Sequence, residues 1–289
     1  MPADGDEKMK IRLIAFDLDG TFLRNDKTIP PENLEALAQA AACGIQIVPA
    51  TGRTFDGMPE EIRSLEYIHF VIAINGAEVR DVKENRVLHR AELTREEAGA
   101  VFEYAKDLPA ICGCYQNGKG WMETEEFEKM AEYSAGPKLL QTMERIYLPM
   151  QDMRERIFDI EPSLQKIQFY FKDLDRRNET LKDMKKAFQN LEISTSLPNN
   201  IEINSASANK GLGMEFLCEH LGISLEECMA FGDGINDLSM IQKAGIGIAM
   251  GNAAPEVLAA AKYHTGSNEQ AGVAAEIEKY LNSEKERML

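Results

Sequence analysis

The segment IRLIAFDLDGT at positions 11–21 joins a mostly apolar run to a short acidic loop. A continuous apolar run of this kind is typical of a strand that is buried on both faces of a parallel sheet. Further short apolar runs follow at 45–50 and 70–74, and helical segments at 30–42 and 59–65 separate the runs. This alternation predicts βαβ units and therefore an α/β fold, with a doubly wound, Rossmann-like parallel-sheet core.

The same alternation of strand and helix returns after residue 210, but the middle of the chain has a different pattern. Two hairpins are predicted there, and the capping box at 94–97 opens a helix between them. We therefore expect residues 86–191 to form a separate α/β domain. It would be inserted into a core that consists of residues 1–85 and 192–289.

Composition and charge exclude several classes of partner. The 289 residues carry 32 Lys and Arg against 48 Asp and Glu, a net charge of −16. Such an acidic surface repels nucleic acid and anionic membranes, so we expect neither as a partner. The five cysteines form no CxxC pair and are odd in number, which favours free thiols in a reducing compartment. The chain shows no signal-peptide pattern and no membrane-length apolar run, so we expect a cytoplasmic protein.

The candidate functional residues follow the ends of predicted strands or open a predicted helix. In an open α/β sheet, the carboxyl ends of the strands are where ligands bind. Four separate segments supply residues to this edge: Asp17, Leu18 and Asp19; Thr51, Gly52 and Arg53; Lys210; and Asp233, Asn236 and Asp237. Each segment alone could be an ordinary turn or helix end. Their combination indicates a functional site.

The charges of these residues indicate the chemistry of the site. Four nearby carboxylates, from Asp17, Asp19, Asp233 and Asp237, cannot all stay ionised without a cation. Oxygen ligands with room for water and phosphate favour Mg²⁺. A calcium loop is excluded because the twelfth position from Asp17 carries no glutamate. A metal ion, a lysine and loop amides around a carboxylate suit phosphoryl transfer.

In this order, the four segments resemble the signature motifs of the haloacid dehalogenase superfamily of phosphohydrolases. The insert lies between the second and third motifs, as in the Cof-type phosphatases with a type IIB cap. The resemblance implies a phosphatase that hydrolyses a small phosphorylated metabolite such as a sugar phosphate. It implies that Asp17 is the nucleophile and forms an aspartyl-phosphate, while Asp19 is the general acid and base.

The resemblance also implies the ligand sets of the site. Mg²⁺ would be held by Asp17, by Asp19 through its backbone carbonyl, and by Asp233 and Asp237. The phosphoryl group would be bound by Leu18, Thr51, Gly52, Arg53, Lys210 and Asn236. Because the general acid must start protonated, we expect the neighbouring carboxylates to raise the pKa of Asp19.

The insert is expected to set substrate choice and to supply none of the core chemistry. Residues of the insert that could face a substrate are Tyr115, Asn117, Lys119, Trp121 and Lys166, although each is better interpreted as a surface or core residue. An oligomerisation role for the insert stays open, and we expect a monomer or small homo-oligomer. Two other functions also stay open: a phosphomutase acting on hexose phosphates, and a non-catalytic module that binds phosphate or is phosphorylated on Asp17.

Overall fold

The computed structural model describes residues 10–134, 136–159 and 164–287, so residues 1–9, 288 and 289 of the predicted core lie outside it. The strands are β1 (Leu13–Phe16), β2 (Gln46–Pro49), β3 (Phe70–Ala73), β4 (Glu78–Asp81), β5 (Arg86–Arg90), β6 (Ala110–Gln116), β7 (Lys119–Glu123), β8 (Tyr147–Met150), β9 (Lys166–Phe171), β10 (Leu191–Ser194), β11 (Asn200–Ser205), β12 (Cys228–Gly232), β13 (Ile246–Ala249) and β14 (Tyr263–His264).

The helices are α1 (Pro31–Ala42), α2 (Glu60–Arg63), α3 (Arg95–Ala105), α4 (Thr124–Phe127), α5 (Met130–Tyr133), α6 (Pro137–Ile146), α7 (Met153–Arg156), α8 (Leu174–Ala187), α9 (Lys210–Leu221), α10 (Leu238–Lys243), α11 (Pro255–Ala260) and α12 (Gly272–Arg287). Helix α3 begins with the predicted capping box, in which Thr94 and Glu97 bond each other's backbone amides. Among the described residues, no helix combines the length and the apolar composition needed to cross a bilayer.

A parallel sheet forms the core, as predicted. Its strand order is β14-β13-β12-β1-β2, and every pairing in it is parallel. Alternate residues of β1 belong to different apolar clusters: Ile14 packs in one with residues of α1 and α12, whereas Leu13 packs in the other with residues of α9. The strand is therefore buried on both faces, which confirms the α/β fold with a doubly wound core.

A six-stranded sheet in the order β10-β11-β9-β6-β7-β8 belongs to the inserted domain. Its pairings are antiparallel, except that β7 and β8 are parallel. It packs over its own apolar cluster, which includes Phe169 and Ile203. This sheet covers the carboxyl edge of the core sheet and so acts as a cap.

The strand pairing differs from the boundaries expected at 86 and 191. Strand β5 pairs with β4, outside the cap sheet, whereas β10 and β11 pair into it through β9. The cap sheet therefore continues to Ser205, only five residues before Lys210. Apolar patterning could not show this, because it does not reveal which sheet a strand joins. We propose that the inserted domain extends from about residue 91 to residue 205.

Candidate active site

Lys210 and two aspartates form a buried cluster at the carboxyl edge of the core sheet. Asp17 directly follows β1, Lys210 is the first residue of α9, and Asp237 directly precedes α10. The Lys210 Nζ lies 2.5 Å from Asp17 Oδ1 and 2.6 Å from Asp237 Oδ1. Lys210 is fully buried. Its ammonium group is thus held entirely by these carboxylates, whose charges raise its pKa more than burial lowers it.

Asp233 lies in the loop between β12 and α10, and Asp237 organises that loop. Asp237 Oδ2 accepts hydrogen bonds of 2.9 Å from the backbone amides of Asp233 and Gly234. Asp233 Oδ1 accepts a bond of 2.8 Å from the hydroxyl of Thr21. At Gly232, a Cβ would lie 2.3 Å from the Cβ of Asp237, so only glycine allows this tight approach.

The donor set of this cluster fits a hard divalent cation. One carboxylate oxygen from each of Asp17, Asp233 and Asp237 lies within 4.8 Å of the others. Burial, together with the neighbouring carboxylates, raises the pKa of Asp17 and raises that of Asp233 to about 7. Three carboxylates face one ammonium group, so a bound cation would relieve the excess negative charge. Oxygen donors of this type are those that Mg²⁺ prefers.

The Asp19 carboxylate is held by ion pairs with other residues. Its carboxylate receives a two-pronged ion pair from Arg53, with both nitrogen–oxygen distances 2.7 Å, and a third contact of 2.8 Å from Lys27. Burial alone would raise the pKa of Asp19, but these two cations lower it well below its ordinary range. The expectation of a raised pKa is therefore wrong for this structure. The expectation included the nearby aspartates but not the guanidinium of Arg53, which lies 34 positions away in the chain.

Three of the phosphate-binding candidates, Thr51, Gly52 and Arg53, lie in the loop that follows β2. Thr51 is buried, and its hydroxyl accepts a bond of 3.2 Å from the backbone amide of Arg53. Gly52 faces Asn75, whose side-chain oxygen would lie 2.9 Å from a Cβ at position 52. The Arg53 guanidinium, expected to bind phosphate, also donates to the backbone carbonyl of Gly57 at 3.0 Å. Leu18 is fully buried beside these loops.

Sequence reasoning missed Asn75, which joins two of the motifs. It has a left-handed backbone, with φ of 57°, and its amide oxygen accepts a bond of 3.1 Å from Asn236. Its backbone amide donates to the carbonyl of Thr51 at 2.9 Å. An Asn-Gly pair directly after a buried strand, here Asn75 and Gly76, was the available signal.

A buried ion pair from the cap was missed as well. Lys166 on β9 and Glu202 on β11 are each 1% exposed and lie 3.2 Å apart. Lys166 was expected to be a surface or core residue that could face a substrate, and Glu202 was not among the candidate residues. An isolated charged residue on a predicted strand carries no signal that it is buried.

A cavity of about 370 Å³ lies between the core edge and the cap. Asp17, Asp19, Thr51, Gly52, Arg53, Asp233, Asn236 and Asp237 line its core side, whereas Tyr115, Leu139, Met143, Ile146, Lys166, Gln168, Tyr170, Ser196, Leu197 and Glu202 line its cap side. Of the five cap candidates, this lining includes Tyr115 and Lys166 but not Asn117, Lys119 or Trp121. The cap thus covers the acidic cluster.

The fold and the site together define a hydrolase of the haloacid dehalogenase type. A model of the family described as haloacid dehalogenase-like hydrolase matches residues 14–277, and the chain belongs to this family. The chain is therefore an enzyme of this hydrolase family, and the curated relatives that it matches are named as phosphatases.

One curated relative and two solved structures illustrate what the chain is similar to. It is 33% identical to the 5-amino-6-(5-phospho-D-ribitylamino)uracil phosphatase YcsE of Bacillus subtilis, over 95% of this chain and 98% of that protein. A solved haloacid dehalogenase-like hydrolase from B. subtilis superposes with a TM-score of 0.78 at 28% identity, covering 93% of this chain and 99% of that one. The subclass IIB sugar phosphatase BT4131, at 23% identity, has a TM-score of 0.76 over 93% and 98% of the two chains, which shows a shared fold.

Proposed function

We propose that this protein is a Mg²⁺-dependent phosphatase that hydrolyses a small phosphorylated metabolite through an aspartyl-phosphate on Asp17. One observation carries the proposal. The Asp17 carboxylate stands at the floor of a covered cavity, beside a buried lysine and two further carboxylates that together carry excess negative charge. This arrangement suits a site that takes up a cation and a phosphoryl group together.

The residues of the core divide the first chemical step between them. Asp17 attacks phosphorus through a carboxylate oxygen, and the bond to the leaving alcohol breaks. Lys210, the Thr51 hydroxyl and the loop amides near Leu18 and Gly52 bind the phosphoryl oxygens. The chemistry that Mg²⁺ supplies, when held by Asp17, Asp233 and the Asp19 carbonyl, is neutralisation of charge on those oxygens. Asp237 and Asn236 keep the metal-binding loop in place.

Asp19 moves the proton in both steps. It donates a proton to the leaving alcohol and then accepts one from the water that attacks the aspartyl-phosphate, which releases phosphate and regenerates Asp17. The contact with Arg53 and Lys27 keeps Asp19 ionised, so this contact must loosen before the first step. Arg53 lines the same cavity. We therefore propose that anionic oxygens of the substrate draw Arg53 away from Asp19.

The cavity supports a metabolite rather than a polymer as substrate. Its volume of about 370 Å³ is near the lower end of small-molecule sites. The cap side of the cavity includes both polar residues, such as Gln168 and Ser196, and apolar ones, such as Leu139 and Met143. This lining suits a sugar or polyol phosphate and also accommodates a flat ring, as in the phosphoribitylaminouracil of the relative's name.

A substrate panel with controlled metal tests the proposal. We expect the purified protein to release inorganic phosphate from sugar phosphates or from phosphoribitylaminouracil in the presence of Mg²⁺. EDTA should abolish the release and added Mg²⁺ should restore it, whereas Ca²⁺ alone should not, because its larger shell distorts a site built for octahedral geometry. Full activity in EDTA, or no hydrolysis of any phosphomonoester tested, would contradict the proposal.

A further inference from the structure

A second fully buried lysine touches the active-site loops from the cap side. The Nζ of Lys166, on β9, donates to the backbone carbonyl of Gly52 at 2.8 Å and to Glu202 Oε1 at 3.2 Å. It also lies 4.4 Å from the ring centre of Tyr115. These contacts engage the ammonium group with protein partners. Lys166 therefore holds the Gly52 carbonyl in place from the cap side.

Glu202 is the matching acceptor, and it leads to a second active-site loop. Its Oε2 accepts a bond of 2.6 Å from the side chain of Asn75, and its Oε1 accepts one of 2.7 Å from Ser196. Asn75 in turn accepts the bond from Asn236, which lies in the loop that carries Asp233. The ion pair thus contacts the phosphate-binding loop directly and reaches the metal-binding loop through one asparagine.

The charge of this pair is balanced, unlike that of the Lys210 cluster. Lys166 and the nearby hydrogen-bond donors lower the pKa of Glu202 even though its burial opposes this. Replacement of a buried ion pair by apolar residues is often neutral or stabilising, so stability alone is a weak reason for such a pair. The positions of its hydrogen bonds give a better reason for the pair, because each partner is hydrogen-bonded to a different loop of the active site.

We propose that Lys166 and Glu202 are positioning residues that the cap contributes to the phosphatase reaction. They set the Gly52 carbonyl and the Asn75 side chain so that the phosphate- and metal-binding loops have the spacing required by the transition state. This inference rests on the proposed function. It also changes the expected role of the insert, which on this view supports the core chemistry as well as substrate choice.

The experiment compares Lys166→Met, Glu202→Gln and the double variant with Lys172→Met, which removes a lysine from an exposed ion pair of the same cap. Turnover of p-nitrophenyl phosphate is measured with Mg²⁺, together with direct calorimetric binding of orthovanadate and inorganic phosphate, and the melting temperature. Orthovanadate adopts the five-coordinate shape of the phosphoryl transition state, whereas phosphate resembles the product. Misplacement of a catalytic group by about 1 Å can lower the rate about 10²-fold.

We expect each single variant to lower kcat by roughly 10- to 100-fold with little change in KM. Orthovanadate affinity should fall by a similar factor, and phosphate affinity should change little. The double variant should regain much of the melting temperature, because it leaves no unpaired buried charge, but it should not regain kcat. Lys172→Met should behave as the wild type.

Two outcomes overturn the inference: wild-type kcat in the double variant, or unchanged orthovanadate affinity in variants whose melting temperature falls. A wild type that hydrolyses no ester refutes the proposed function instead. In that case orthovanadate affinity still decides whether the pair positions the loops. A wild type that does not bind orthovanadate with Mg²⁺ refutes both.

Discussion

Two buried lysines, one from the core and one from the cap, differ in the number of carboxylates that surround them. Lys210 faces Asp17 and Asp237, with Asp233 close by, so negative charge is in excess and the pKa of Asp17 is raised by burial and by these neighbours. Lys166 faces Glu202 alone, and the pKa of Glu202 is lowered. We propose that a cation and a phosphoryl group complete the cluster that carries this excess. The balanced pair is complete without a ligand.

Loss of Asp17, the proposed nucleophile, should have the largest effect on the Lys210 cluster of the core. Asp17→Asn should lower kcat on the order of 10³-fold or more, because the covalent route is lost. The free energy of unfolding in EDTA should stay the same or rise, since burial and like charges disfavour the ionised Asp17. Steady-state kinetics and urea unfolding measure the two effects. Asp183→Asn, on the exposed surface of the cap, is the control; more than about one hundredth of wild-type activity in Asp17→Asn would remove this residue from its role.

Asp19 shows the opposite balance of charge, because two cations, Arg53 and Lys27, contact its one carboxylate. Asp19→Asn should lower kcat by roughly 10²–10⁴-fold, because the leaving alcohol loses its proton donor. The loss should be smaller for an ester with an acidic leaving group, such as p-nitrophenyl phosphate, than for a sugar phosphate. Equal losses on both esters would show that Asp19 does not protonate the leaving group.

Replacement of each lysine should show that Mg²⁺ compensates for the lost positive charge at Lys210 but not at Lys166. Lys210→Met and Lys166→Met each leave buried carboxylate without its partner, which is expected to destabilise the fold by about 3–5 kcal/mol. Mg²⁺ should restore much of the melting temperature of Lys210→Met, because the ion supplies positive charge to the same carboxylates. It should not restore that of Lys166→Met. Thermal unfolding in Mg²⁺ and in EDTA makes the comparison, and equal rescue of both variants would contradict it.

The smallest expected effect is the pH dependence of the stability that the Lys166–Glu202 ion pair contributes. Because the pKa of Glu202 is lowered in the folded protein, its ionised form stabilises the fold above its ordinary pKa of 4.5, and this contribution is lost as the pH falls through the folded pKa. The stability advantage of the wild type over Glu202→Gln should therefore shrink below about pH 4.5. Urea unfolding between pH 7 and pH 3.5 measures it, with Glu128→Gln on the exposed cap surface as the control. A constant advantage across this range would be inconsistent with a lowered pKa.

Much of the core side could be predicted from the chain. Asp17 and Asp233 follow buried apolar runs, and parallel strands bring such ends to one edge, so their proximity follows from topology. Asn75 also follows a buried strand but was not among the predicted site residues, because its role depends on contacts with Glu202 and Asn236 from distant segments. The pKa of Asp19 was mistaken because Arg53 was assigned to phosphate, whereas the structure pairs it with Asp19.

On the cap side, far less could be predicted. The boundary expected at residue 191 left most of β10 and all of β11 in the core, yet both strands pair into the cap sheet. This pairing is what carries Glu202 to Lys166, 36 positions earlier in the chain. Without it, Lys166 is an ordinary charged residue at the start of a strand.

The order of amino acids alone is enough for the α/β core, the family and the residues at the core edge, because apolar runs and the loops that follow them are local features with a regular arrangement in parallel sheets. The fold in three dimensions was needed for the ion pairs of Asp19 and Lys166. A salt bridge between distant segments depends on strand register and on which side chain reaches which, and local sequence carries neither. The same holds for burial of a charged group, because the charged partner that offsets the lost hydration comes from a distant segment.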